Sequence, residues 1–102
     1  MEKPWLRLWA GMRSNVDVLE LCPDERWCWC GVLMLASDMD NHGRLEMFDG
    51  TSLRDEKMPD YINVARRLWA RARDHMLVIG LIHNDNGTLV VTNWDKWHGS
   101  GV

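Results

Sequence analysis

The chain has 102 residues, 46% of them hydrophobic and 26% charged, which is the balance of one ordinary globular domain rather than a disordered or fibrous chain. Its net charge of −3 excludes binding of a polyanion over the whole surface. No apolar stretch is long enough to span a bilayer, and Met1-Glu-Lys-Pro-Trp5 does not open a signal peptide, so a protein neither exported nor membrane-spanning is expected.

Residues 1–13 read as an N-terminal arm, followed by a helical core over 14–80. Ser14, with Asp17 three residues on, predicts the start of a short helix that Val16, Leu19 and Glu20 continue to Leu21. Pro23, Asp24 and Glu25 suit the first turn of a second helix, since proline is tolerated there and acids favour the positive end of the dipole. The run Trp27-Cys-Trp-Cys-Gly-Val-Leu-Met-Leu-Ala36 is apolar on nearly all sides and predicts a central helix. Cys22, Cys28 and Cys30 have no C-x-x-C spacing and no clustered histidine beside them, so they read as buried thiols of a reducing cytoplasm; no metal site is expected.

Asp38 to Gly43 carries turn chemistry, and Arg44-Leu-Glu-Met-Phe48 alternates like a short half-buried strand near 44–48. After the Asp49-Gly50 turn, Thr51 or Ser52 could cap a short helical piece that Pro59 interrupts. Residues 38–60 hold seven acids against three bases, whereas residues 61–75 hold four arginines against Asp74. Exposed charges more than about 8–10 Å apart are largely screened, so a confined positive patch can exist on an acidic domain.

That patch is the main signal. From Tyr61 to His75 the apolar positions recur with helical spacing, putting Ile62, Ala65, Leu68, Trp69, Ala72, Met76 and Ile79 on one arc. Asn63, Arg66, Arg67, Ala70, Arg71, Arg73 and Asp74 fill the other. Asn63, Arg67, Arg71 and Asp74 line one ridge, where Arg67 and Arg71 suit base edges in a major groove, and Arg66 and Arg73 lie nearer the apolar border, where phosphate contact is expected. The competing reading is a solvated face with Arg67 or Arg71 paired to Asp74.

Ile79 to His83 and Thr88 to Thr92 are β-prone runs around an Asn-Gly turn, predicting a hairpin over 81–94 with 95–102 as a tail. His83, Asn84 and Asn86 on this hairpin could touch a minor groove or the DNA backbone, against the plainer reading of a hairpin turn. The element order is that of one α+β, mainly helical domain: a winged helix-turn-helix with a C-terminal β-hairpin wing. Of the seven tryptophans, Trp5, Trp9, Trp94 and Trp97 lie at the chain ends and suit a shared core cluster or a homodimer interface. No catalytic motif is present, and the acids of Asp38 to Asp60 read as loop carboxylates rather than a magnesium site, so neither enzyme activity nor a cofactor is expected.

Four stretches carry a resemblance that spans nearly the full chain: Trp5-Leu-Arg-Leu-Trp9; Val18 to Trp27 leading into Gly31 to Ala36; Asp40-Asn-His-Gly-Arg-Leu45; and Ile79-Gly-Leu-Ile82 with Thr92 to His98. They resemble the winged-helix N-terminal domains of bacteriophage replisome organisers and related DnaD-like replication-initiation proteins. The last stretch is the most specific, with Asn93, Trp94, Lys96, Trp97 and His98 in the family's closing pattern. The resemblance implies binding to double-stranded DNA during phage or prophage replication in the bacterial cytoplasm, with replisome proteins as partners and Lys96 among the DNA-facing cations. Pro59 departs from the family pattern, as does the lack of the second domain of longer members, which suggests a standalone small protein or a fragment. The alternative is a winged helix without DNA binding, used for protein interaction or oligomerisation.

Overall fold

The computed structural model describes residues 10–47 and 49–98; Trp5, Trp9, Phe48 and the tail 99–102 lie outside the described residues. Helix α1 spans Val16–Glu20 after a 3-10 turn at Ala10–Ser14. Its cap is Asn15 rather than Ser14: Asn15 Oδ1 accepts the N–H groups of Asp17 at 2.9 Å and Val18 at 3.3 Å, while the Ser14 hydroxyl turns back to the Gly11 carbonyl. Val18 packs inward, and Val16 and Leu19 face solvent.

Helix α2, Pro23–Met39, is central, packing against α3 (Met58–Ile62), α4 (Arg66–Ile79), the second hairpin strand and the last helix. Cys28, Trp29, Val32, Leu33 and Ala36 are fully enclosed. Burying each large apolar side chain contributes roughly 1.5–3 kcal/mol, which is why this run fixes the middle of the domain. The burial is not all round, since Trp27 is 55% and Met34 45% exposed. Nor are the cysteines uniformly buried: Cys28 is, Cys30 is half-buried and Cys22 is exposed. Asp40 closes α2 in the left-handed conformation, its N–H donating to the Ala36 and Ser37 carbonyls.

The expected strand over Arg44–Phe48 reduces to two single bridges, Arg44 with Val90 and Glu46 with Ser52. Leu45, 1% exposed, is held there by its N–H donating to Leu89 O at 2.9 Å. A 3-10 turn at Asp55–Lys57 leads into α3, where Pro59 occupies the first turn and starts the helix instead of interrupting it. The helical periodicity beginning at Tyr61 is likewise two helices, not one. Asn63 adopts φ 57°, a left-handed conformation that asparagine tolerates, and α4 begins only after extended Ala65, which is exposed. Gly80, φ 93°, ends α4.

Strands β1 (Ile82–Asp85) and β2 (Thr88–Val91) form the antiparallel pair, with Ile82 opposite Val91 and Asp85 opposite Thr88. The two-residue loop Asn86-Gly87 has φ 53° and 89°, matching a type I′ turn. The chain then closes as helix α5, Trp94–His98, packed on α2, where sequence reading has only a tail. Trp97 is 3% exposed and stands edge-to-face on Trp29 at 5.2 Å, so it belongs to the core of its own chain and not to an interface. Trp94 is partly buried, packed over Gly43. The described residues thus form a mainly helical α+β domain with one two-stranded sheet. No helix among them is long and apolar enough to cross a membrane.

Candidate nucleic-acid interface

Helix α3, the three residues Asn63, Val64 and Ala65, and helix α4 form two helices joined by a tight turn. Trp69, Ala72 and Met76 anchor α4 on the core. Trp69 is tied further by its indole Nε1–H, which donates to Asp55 Oδ1 at 3.0 Å. This fixes which arginines face outward and what each one meets.

Arg67 is exposed and has neither a side-chain hydrogen bond nor an ion pair among the described residues. Arg66, also exposed, donates from Nη1 to the Glu56 carbonyl at 3.0 Å. Both occupy the first turn of α4, which holds no acid and whose cap residue, Ala65, offers no side-chain acceptor. Asn63, exposed in the turn, lies just ahead of them.

Arg71 and Arg73 are differently placed. Arg71 reaches back to α2, pairing Nη2 with Asp24 Oδ2 at 2.5 Å and Nε with Glu25 Oε2 at 3.2 Å. Its pKa is raised by the Asp24 hydrogen bond first, then by the coulombic attraction of the same carboxylate. Arg73 is turned toward the Asp55 carboxylate and also pairs with Asp74 at 2.9 Å. Burial alone would lower its pKa, but the Asp74 and Asp55 carboxylates more than reverse this and the net direction is upward. Asp74 therefore pairs with Arg73, not with Arg67 or Arg71.

Glu25 is the hub of the α2–α4 contact. It is 2% exposed, and its Oε1 accepts the Cys22 N–H at 2.9 Å and faces His75 Nδ1 at 3.0 Å. Burial pushes its carboxyl upward, yet the hydrogen bonds from Cys22, His75 and Arg71 outweigh it and the pKa lies below the ordinary carboxylate value. In sequence Asp24 and Glu25 read only as dipole-favouring acids; their pairing across 46 and 47 positions to Arg71 has no local signature.

On the hairpin, His83 is exposed with Nδ1 at 2.8 Å from the Thr92 hydroxyl, and Asn84 Oδ1 accepts the Gly87 N–H at 2.8 Å. Asn86 is exposed at the tip. Asn84 and Gly87 line one groove with Asp55, Arg73 and Leu77, which brings the hairpin tip beside α4. Lys96 does not join them: it lies over the Trp97 ring at 5.1 Å and lines a different groove with His42, Asn93 and Trp94. No group of three or more metal-binding side chains exists among the described residues.

No protein-family model, curated protein or solved structure matches this chain.

Proposed function

We propose that this chain is a winged-helix domain that binds double-stranded DNA, and that it serves phage or prophage replication initiation as a replisome organiser. The observation that carries the DNA reading is the first turn of α4, where Arg66 and Arg67 stand together at an uncapped helix N-terminus. Cations are disfavoured at the positive end of a helix dipole by about 0.3–1 kcal/mol each, so the arrangement is locally unfavourable for the free chain. A phosphate brought to that end reverses the sign, meeting two guanidinium groups and the free N–H groups of the turn at once.

The placement also suits helix-turn-helix docking, in which the start of the second helix reaches base edges. Asn63, Arg66 and Arg67 are then the leading contacts, Asn86 at the hairpin tip a flanking one, and Arg71 and Arg73 cations already neutralised within the fold. The replication assignment, with replisome proteins as partners and the bacterial cytoplasm as location, rests on the resemblance of the chain's two ends and of residues 18–45 to replisome organisers. Binding and assembly are its whole chemistry in this reading.

Fluorescence anisotropy with a random duplex tests it. Affinity should fall with log salt at about −0.9 per phosphate contact, and Arg66→Ala with Arg67→Ala should flatten the slope by roughly 1.8. Absence of any duplex binding at low salt would overturn the proposal. A protein-interaction module is the second reading, favoured by Trp27, Met34 and Tyr61, which are 55%, 45% and 49% exposed.

A further inference from the structure

The charge of α4 changes sign along its length. Arg66 and Arg67, both exposed, stand in the first turn; Arg66 donates to the backbone carbonyl of Glu56, and Arg67 has no ion pair among the described residues. One turn further on, Arg71 lies against two carboxylates, Asp24 at 2.5 Å and Glu25 at 3.2 Å. Arg73 lies against two more, Asp55 and Asp74, the second at 2.9 Å. One guanidinium against two carboxylates leaves each cluster at a formal −1, with His75 neutral, behind a first turn whose two arginines carry +2. Asp24, Asp55 and Asp74 are exposed, so this negative charge faces the solvent through which a ligand arrives.

We infer, resting on the DNA-binding reading, that the phosphate backbone of a duplex crosses the start of α4 instead of running along the helix. Arg71 and Arg73 keep their carboxylates in the complex, and the two acidic clusters limit the contact to Arg66 and Arg67. The rise of about 1.5 Å per residue puts Arg71 about 6 Å along the axis from Arg67. That is inside the screening length of about 8 Å at physiological salt, so a strand laid along α4 meets the negative clusters largely unscreened. A strand crossing the first turn leads away from them.

The carboxylates that hold the inner arginines are themselves held. Glu25 is buried, and its Oε1 accepts the Cys22 N–H at 2.9 Å and faces His75 Nδ1 at 3.0 Å, while Oε2 faces Arg71. Moving Arg71 to a phosphate strips a buried carboxylate of a charged donor, which costs more than an exposed ion pair returns. Asp55 is fixed by the buried Trp69, whose indole Nε1–H donates to Oδ1 at 3.0 Å and leaves Oδ2 aimed at Arg73. The first-turn arginines have no such tie. Arg67 gives up no ion pair, and Arg66 exchanges a carbonyl for a phosphate oxygen, the stronger acceptor because it is charged.

Salt titrations of a random duplex against single variants test the inference. Arg66→Gln and Arg67→Gln should each flatten the slope of log affinity against log salt by about 0.9, whereas Arg71→Gln and Arg73→Gln should leave it unchanged. Because Arg71→Gln also leaves Glu25 short of a donor and can loosen the fold, a second readout uses the wild-type chain. In its heteronuclear NMR spectra the arginine Nε–H signals of Arg66 and Arg67 should move or sharpen as duplex is added, and those of Arg71 and Arg73 should stay in place. A slope flattened by about 0.9 in Arg71→Gln or Arg73→Gln overturns the inference while leaving DNA binding intact, as do duplex-induced shifts of the Arg71 and Arg73 signals. Absence of duplex binding by the wild-type chain at low salt overturns the DNA-binding reading itself, and the inference with it.

Discussion

Gly31→Ala should destabilise the domain although the substitution improves helix propensity. Gly31 lies inside α2, and alanine at a helix interior is favoured over glycine by about 0.8–1.0 kcal/mol. Against this, a Cβ at position 31 would lie 2.9 Å from Ile62 Cβ and 3.1 Å from Ile62 Cγ2. Ile62 is 8% exposed and closes α3, and its Cβ is fixed to backbone, so relief requires α3 to move away from α2. Overpacking of this kind costs about 1–3 kcal/mol, leaving a net loss of roughly 1 kcal/mol after the propensity gain. For a domain of this size that corresponds to a fall of about 4–8 °C in Tm, readable by circular dichroism at 222 nm. Ile62→Ala removes Cγ2 and Cδ1 but leaves the 2.9 Å contact, so the double variant should be less destabilised than the two single changes summed. A Tm that rises with Gly31→Ala would refute the close approach of α3 to α2, and with it the geometry of the turn leading into α4.

Three further outcomes follow from the same geometry. Glu25→Gln should cost about 2–4 kcal/mol near neutral pH, because a buried carboxylate that accepts from Cys22, His75 and Arg71 is replaced by an amide. Since the folded pKa of Glu25 is lowered, its contribution is complete above the ordinary carboxylate value and lost as pH falls through the folded one. Urea melts from about pH 7 to about pH 3 should therefore show the gap between wild type and variant closing, and a constant gap contradicts the assignment. Gly43→Ala should cost more than Gly50→Ala: both have positive φ, 84° and 87°, worth about 1–2 kcal/mol, but only the first would set a Cβ 2.7 Å from Trp94 Cβ. Equal urea midpoints for the two would show that Trp94 does not pack there. Within the DNA-binding proposal, Asp24→Asn should remove one of the two carboxylates that hold Arg71, leaving the Glu25 pair, and steepen the salt slope by less than the roughly 0.9 of a full phosphate contact, and the gain should vanish in an Arg71→Ala background. Persistence of the gain without Arg71 would mean that Asp24 acts only through the net charge.

Local signals were readable wherever a few neighbouring residues decide the conformation. Asn86-Gly87 specified the hairpin turn because both positions need positive φ, and the Pro23-Asp24-Glu25 opening specified α2 because its groups complete a first helical turn. Two local readings failed for local reasons: Pro59 starts a helix as readily as it interrupts one, and Asn63 can turn left-handed inside an unbroken apolar period.

The candidate site was legible as composition but not as electrostatics. Four arginines in one stretch marked α4, and spacing assigned Arg67 and Arg71 to one ridge. That Arg71 is neutralised by Asp24 and Glu25, and Arg73 by Asp55, depends on partners 18 to 47 positions away. Trp97 shows the same limit. Its place near the chain end leaves a core cluster and a homodimer interface both open, and only the return of α5 onto α2 decides for the core by putting it against Trp29.

The sequence by itself determined α1, α2, the body of α4, the hairpin and the location of the positive charge, because backbone propensity and side-chain period act over a few residues; it missed α5 and the break between α3 and α4. Tertiary structure decided which of those charges stay unpaired and which apolar residues stay uncovered. Ion pairing and burial depend on distance in space: packing α2 against α4 pairs Arg71 with Asp24 and Glu25, while Arg67 has no ion pair among the described residues and Trp27 is exposed.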